Sequence, residues 1–152
     1  MTVVVAAIRP DDQSLALFVH VLGAMILVGG LLTGASALAF ARGEVRSLRL
    51  GYWSLLAVAL PGFLVMRIGA QWIYSEQGWE DVPEEPAWLG IGWITADLGG
   101  LLLLVSLIAG GVGVYRLRAG KGGVLLRITL AIAIVLLAAY VVAAWAMSGK
   151  PS

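Results

Sequence analysis

Between Ser14 and Met147 the sequence is apolar for most of its length, and clusters of charge interrupt it at only three places. The stretches between them run from about Ser14 to Phe40, Leu50 to Tyr74, Trp88 to Tyr115 and Val124 to Met147. Each exceeds the roughly 20 residues that a helix needs to cross a hydrocarbon core about 30 Å thick. Each is apolar around its whole circumference rather than along one stripe, which excludes a water-soluble bundle. Charged residues make up 12% of the chain and hydrophobic ones 61%, against about a quarter charged in a soluble domain. The sequence therefore predicts an all-α membrane protein, a four-transmembrane-helix bundle forming a single domain over 1–152. A cluster of helix-capping type, Asp11-Asp12-Gln13-Ser14, precedes the first stretch. Met1 to Ile8 lack a basic segment and no small-residue cleavage site follows, so the first helix reads as retained rather than as a signal peptide.

Orientation follows from the charges. The first connection carries Arg42, Arg46 and Arg49, and the third carries Arg116, Arg118, Lys121 and Arg127. The second, Ser75 to Pro86, holds Glu76, Glu80, Asp81, Glu84 and Glu85 without a single Lys or Arg. By the positive-inside rule the basic turns face the cytoplasm and both termini face outward, giving two hairpins with basic cytoplasmic turns. Tyr52, Trp53 and Tyr115 are expected in an inner aromatic belt; Trp72, Tyr74, Trp79, Trp88, Trp93 and Trp145 in a heavier outer one. Glycine-rich runs before each basic turn (Gly29-Gly30 with Gly34, Gly110-Gly111 with Gly113) suggest a faint internal repeat. Eight of the ten basic residues are Arg in a chain rich in Ala, Gly, Val and Leu. That bias suggests a bacterium of high genomic GC content and hence a cytoplasmic (inner) membrane. The net charge of +1 gives no reason to expect nucleic acid, and the absence of cysteine excludes disulfides, thiol chemistry and cysteine-bound iron–sulfur clusters.

An ionisable side chain inside a span is costly and so marks a candidate functional position. His20, Arg67 and Asp97 are such residues, and Tyr140 joins them. At about 1.5 Å of rise per residue, all four lie roughly 9 to 13 Å beneath the outer ends of their helices. One polar group per helix at a common level predicts a buried His-Arg-Asp-Tyr layer in which Arg67 pairs with Asp97 and the others complete the hydrogen bonding. Gln71, one turn beyond Arg67, and Trp93, one turn before Asp97, share their faces. Met66 leaves the helix on a different azimuth from Arg67. Pro61-Gly62 removes the amide that would bond the Ala57 carbonyl and predicts a kink below Arg67. The pairs Gly30/Gly34 and Gly92/Ala96 let backbones approach closely, most simply within the bundle. The acidic loop lacks the ligand spacing of a calcium loop and reads as a solvated segment.

The run Phe18-Val19-His20-Val21-Leu22-Gly23-Ala24, followed by Val28-Gly29-Gly30-Leu31, resembles the first helix of small bacterial membrane proteins. These are the copper-resistance protein D (CopD) type, the HemJ-type protoporphyrinogen oxidases and related predicted integral membrane proteins. The resemblance implies a haem b ligand at His20, with Met66, water or a histidine of a second subunit opposite it. The chain departs from that pattern in having no second intramembrane His and in carrying Asp97, rather than a Lys, on helix three.

Three function classes follow. A structural or accessory membrane protein uses the polar layer to fix the bundle. A haem- or quinone-binding redox protein uses His20 as ligand or donor. A small transporter would need to be dimeric, because the inner halves of the spans are apolar and offer no polar route. Partners under these readings are the lipid bilayer and a homodimer or larger membrane complex. Nothing resembles a hydrolase: Thr33, Ser36, Ser54 and Ser106 lie too deep, and Thr95 has no nucleophile motif around it, so the sequence leans away from an enzyme.

Overall fold

The computed structural model describes the backbone of residues 11–78 and 87–148, with side chains over 15–78 and 89–146. Four long helices account for nearly all of it: α1 (Asp11–Ala39), α2 (Val45–Glu76), α3 (Ala87–Arg116) and α4 (Gly123–Ser148). All four are long and apolar enough to cross a membrane, and the described residues contain no strand. Their outward surface is itself apolar: Met25, Ile68, Ile108 and Val142 are each more than half exposed. Such a surface fits hydrocarbon rather than water.

The boundaries differ from expectation at two places. Helix α1 already runs through Asp11–Ser14, so that cluster lies within the helix instead of before it. Helix α2 starts at Val45, which puts Arg46 and Arg49 on helix rather than in a loop. The inner turn is that short because Arg42 and Gly43 both take left-handed backbone angles, φ 44° and 87°, and reverse the chain at once. Glu44 then flanks the helix start and accepts a hydrogen bond from the Ser47 hydroxyl at 2.8 Å.

Where the sequence predicts a kink at Pro61, the helix carries a π-helical turn over Leu55–Ala59 just before the proline. A wider turn accommodates a ring that would otherwise press on the Ala57 carbonyl four residues back.

Within the first hairpin the two backbones touch. Going from the end of the hairpin opposite the basic turn toward that turn, His20 faces Gly69, Gly23 faces Met66, Leu27 faces Gly62, Gly30 faces Ala59, Gly34 faces Leu55 and Leu38 faces Gly51. Every rung of this antiparallel ladder has one glycine and one side chain. A Cβ on Gly30 would lie 2.5 Å from the Ala59 nitrogen, and one on Gly69 2.5 Å from the His20 nitrogen. Between lipid-embedded helices such close packing supplies the attraction that the hydrophobic effect does not. The expected Gly30/Gly34 pair thus serves packing within the bundle.

The second hairpin closes differently. Ser106 and Thr129, both fully buried, face each other: Ser106 Oγ donates to the Thr129 carbonyl at 3.4 Å, while Thr129 Oγ1 donates to the Leu125 carbonyl of its own helix at 2.9 Å and lies 3.3 Å from the Ser106 carbonyl. Between the hairpins α2 reaches α3 with long side chains. Tyr52 lies over Gly110 and Gly111, and Phe63 against Gly100. Tyr52 is therefore an inter-helix filler rather than a member of a lipid-facing belt, while Trp53 and Tyr115 are exposed as expected. Leu27, Leu31, Leu55, Leu103 and Leu136, drawn from all four helices, form the fully buried core.

Candidate outer-level polar site

Arg67 sits nine residues before the end of α2 at Glu76, about 14 Å along the helix. Its Nη2 donates to Asp97 Oδ1 on α3 at 3.1 Å. Its guanidinium carbon also lies 4.1 Å from the centre of the Trp93 ring. Tyr74, two turns above Arg67 on α2, meets the same ring edge-to-face at 5.4 Å. The site is thus a two-by-two cluster, Arg67 and Tyr74 from α2 against Trp93 and Asp97 from α3. The spacing explains it: residues three, four or seven apart share a helix face, so each helix presents its two groups as a column. A cation over an indole contributes on the order of 1 to 2 kcal/mol when desolvated, and the ion pair adds charge complementarity.

The cluster lies at the rim of the bundle. The Asp97 side chain is 65% exposed and that of Arg67 32%, although the guanidinium nitrogen Nη1 is buried and has no hydrogen-bond partner among the described residues. Gln71, expected on the same face, is exposed.

The other two members of the expected layer go elsewhere, and the single hydrogen-bonded network is not formed. His20 occupies a rung of the glycine ladder, where Leu27 and Leu38 stand lower down, and its Nδ1 donates to the Met66 carbonyl at 3.0 Å. A carbonyl only accepts, so Nδ1 carries the proton of this bond. The Met66 side chain is buried. Tyr140 is buried against Gly99 of α3, and its hydroxyl has no partner among the described residues. The cause is azimuth: Gly99 lies two residues after Asp97, roughly 200° around the helix, so the group facing Tyr140 and the group facing Arg67 are on nearly opposite sides of α3. Equal depth did not imply a common face.

Glu76, the first acidic residue of the outer loop, accepts a hydrogen bond from the Trp72 indole; Glu80, Asp81, Glu84 and Glu85, with Trp79 and the Trp88 side chain, lie outside the described residues. The described residues include no group of three potential metal-binding side chains. Thr129 is the polar residue that the sequence reading passed over; a hydroxyl opposite Ser106 on the neighbouring span was the available signal.

What these helices show is a multi-pass, all-α membrane protein with, among the described residues, one ion pair between its two hairpins. No family model, curated protein or solved structure matches the chain.

Proposed function

We propose that this chain is a structural or accessory protein of a bacterial cytoplasmic membrane that associates laterally with a second copy of itself through the rim formed by α2 and α3. The exposed Asp97 carboxylate beside half-buried Arg67 carries the reading. A charge turned toward hydrocarbon costs several kcal/mol, and spans that keep one almost always turn it toward another polar surface. The pair is self-complementary about a two-fold axis along the membrane normal. Such an axis preserves depth and reverses left and right, so each Arg67 meets the partner's Asp97 and each Asp97 the partner's Arg67. The rest of the interior supports a structural role. His20 acts as a packing knob, and Ser106 with Thr129 as a clasp.

The chain has no cysteine, so single substitutions give clean cross-linking. Leu98→Cys and Ile94→Cys, both exposed and flanking Asp97, are expected to yield disulfide-linked dimers on mild oxidation in membranes. The yield should fall severalfold when Asp97→Ala is added. Val142→Cys, exposed on α4, is expected to stay monomeric. Equal cross-linking at Val142, or no dependence on Asp97, would defeat the proposal.

One observation favours haem instead: the Nδ1–H bond to Met66 leaves His20 Nε2 as a potential ligand nitrogen. Under the accessory reading the protein purified after haem-replete expression is colourless. A Soret band present in the wild type and lost in His20→Ala would replace that reading with a redox one.

A further inference from the structure

The inner end of the second hairpin contains a cavity of about 450 Å³ that no part of the outer-level cluster uses. Arg116, Lys121 and Arg127 line it, together with Gly122, Val124 and Leu125. The turn is built to bring the three cations together. Gly120 takes a left-handed angle of φ 68°, and the Lys121 amide bonds the Arg116 carbonyl at 3.1 Å, which places Lys121 beside the end of α3. Gly122 follows at φ 110° with its Cα packed on the Gly113 carbonyl, where any Cβ would collide. The Leu126 amide then bonds the Gly122 carbonyl at 3.1 Å, so α4 begins at once and Arg127 stands in its second turn.

These charges are uncompensated. Among the described residues the sole salt bridge is Arg67–Asp97, at the opposite end of the molecule. The two turns and the helix ends that flank them, Arg42 to Arg49 and Arg116 to Arg127, carry seven basic side chains and one carboxylate, Glu44, which accepts the Ser47 hydroxyl. Three cations around one cavity repel each other, and an anion seated there removes that cost. Val124, exposed, and Leu125 add apolar walls beside the charges. The cavity also lies where the helices end, at the level of the lipid phosphates on the side assigned to the cytoplasm by the charge pattern.

We infer that this cavity binds a phosphate-ester anion, supplied by the headgroup of an anionic phospholipid of the inner leaflet. A soluble phosphate is the other source of the same chemistry. The test uses the full chain purified in mild detergent. Native mass spectrometry follows retention of phosphatidylglycerol, phosphatidylcholine and inorganic phosphate by three proteins. These are the wild type, Arg116→Gln/Lys121→Gln/Arg127→Gln, and Arg42→Gln/Arg46→Gln/Arg49→Gln, which removes the same charge from the other inner turn. We expect the wild type to retain one phosphatidylglycerol about tenfold better than phosphatidylcholine, the second protein to lose that preference, and the third to keep it. Single Arg127→Gln, a milder change, is expected to lose severalfold while its circular dichroism stays helical. Retention of phosphate with no preference for phosphatidylglycerol would keep the anion site and overturn the lipid source. Equal losses in the two triple variants, or equal retention of the two lipids without phosphate binding, would overturn the site.

Discussion

Gly30→Ala is expected to lower the stability of the folded protein by about 3 kcal/mol, and Gly29→Ala, one residue away, to leave it unchanged or slightly improved. A Cβ on Gly30 would lie 2.5 Å from the Ala59 nitrogen, 2.8 Å from its Cα and 3.0 Å from its Cβ. These are mostly backbone atoms, so no rotamer change makes room; α1 and α2 have to separate along the whole seam. Overpacking in a tight interior typically costs about 1 to 3 kcal/mol, and an obstruction of backbone by backbone belongs at the upper end. A Cβ on Gly29 meets nothing within 4 Å, and alanine there gains up to about 1 kcal/mol of helix propensity. Unfolding in mixed micelles of increasing dodecyl sulfate fraction, followed by far-ultraviolet circular dichroism, compares the two. Equal effects would mean that helix propensity, not close approach, sets the role of these glycines.

Asp97→Asn is expected to cost about 2 kcal/mol, and Arg67→Gln about as much, while the double variant recovers to within about 1 kcal/mol of the wild type. Each single change leaves one charge without its partner, at about 2.5 to 3.5 kcal/mol for a lone charge at mid-membrane and less toward the interface. Removing both charges removes the problem with them. After Asp97→Asn the guanidinium keeps its place over Trp93, which holds that loss toward the lower end. The same unfolding assay over all four proteins gives the coupling energy. Additive losses would show that the 3.1 Å contact contributes nothing.

The four spans were legible because apolar length is a property of sequence alone and no soluble alternative accommodates it. The partnership of Arg67 with Asp97 was legible for a related reason: two opposite charges at one depth in hydrocarbon have few other ways to be stabilised. Trp93 followed from its position one turn before Asp97. Helix α2 was read as starting late because Arg46 and Arg49 look like loop, whereas charges on the end of a span continue the helix into the interface. The joint layer failed at His20 and Tyr140 because depth can be counted along a sequence, while azimuth between helices depends on which faces pack. The glycine ladder was hidden for the same reason. With 20 glycines in the chain, the six that oppose a side chain across α1 and α2 stand out only once the register of the two helices is known.

That ladder bears on the order of events during synthesis. Its contacts join two consecutive spans, so the ladder can close before α3 reaches the bilayer. Arg67 crosses into the bilayer as part of that hairpin, and Asp97 is made 30 residues later, about 2 to 6 s at 5 to 20 residues per second. For that interval the guanidinium lacks the Asp97 carboxylate and the Trp93 indole, and a long cationic side chain so placed can extend along its own helix toward the headgroups. The second hairpin then arrives at a charge already in place, and the nascent chain carries its own cue for which side of the first hairpin α3 is to join.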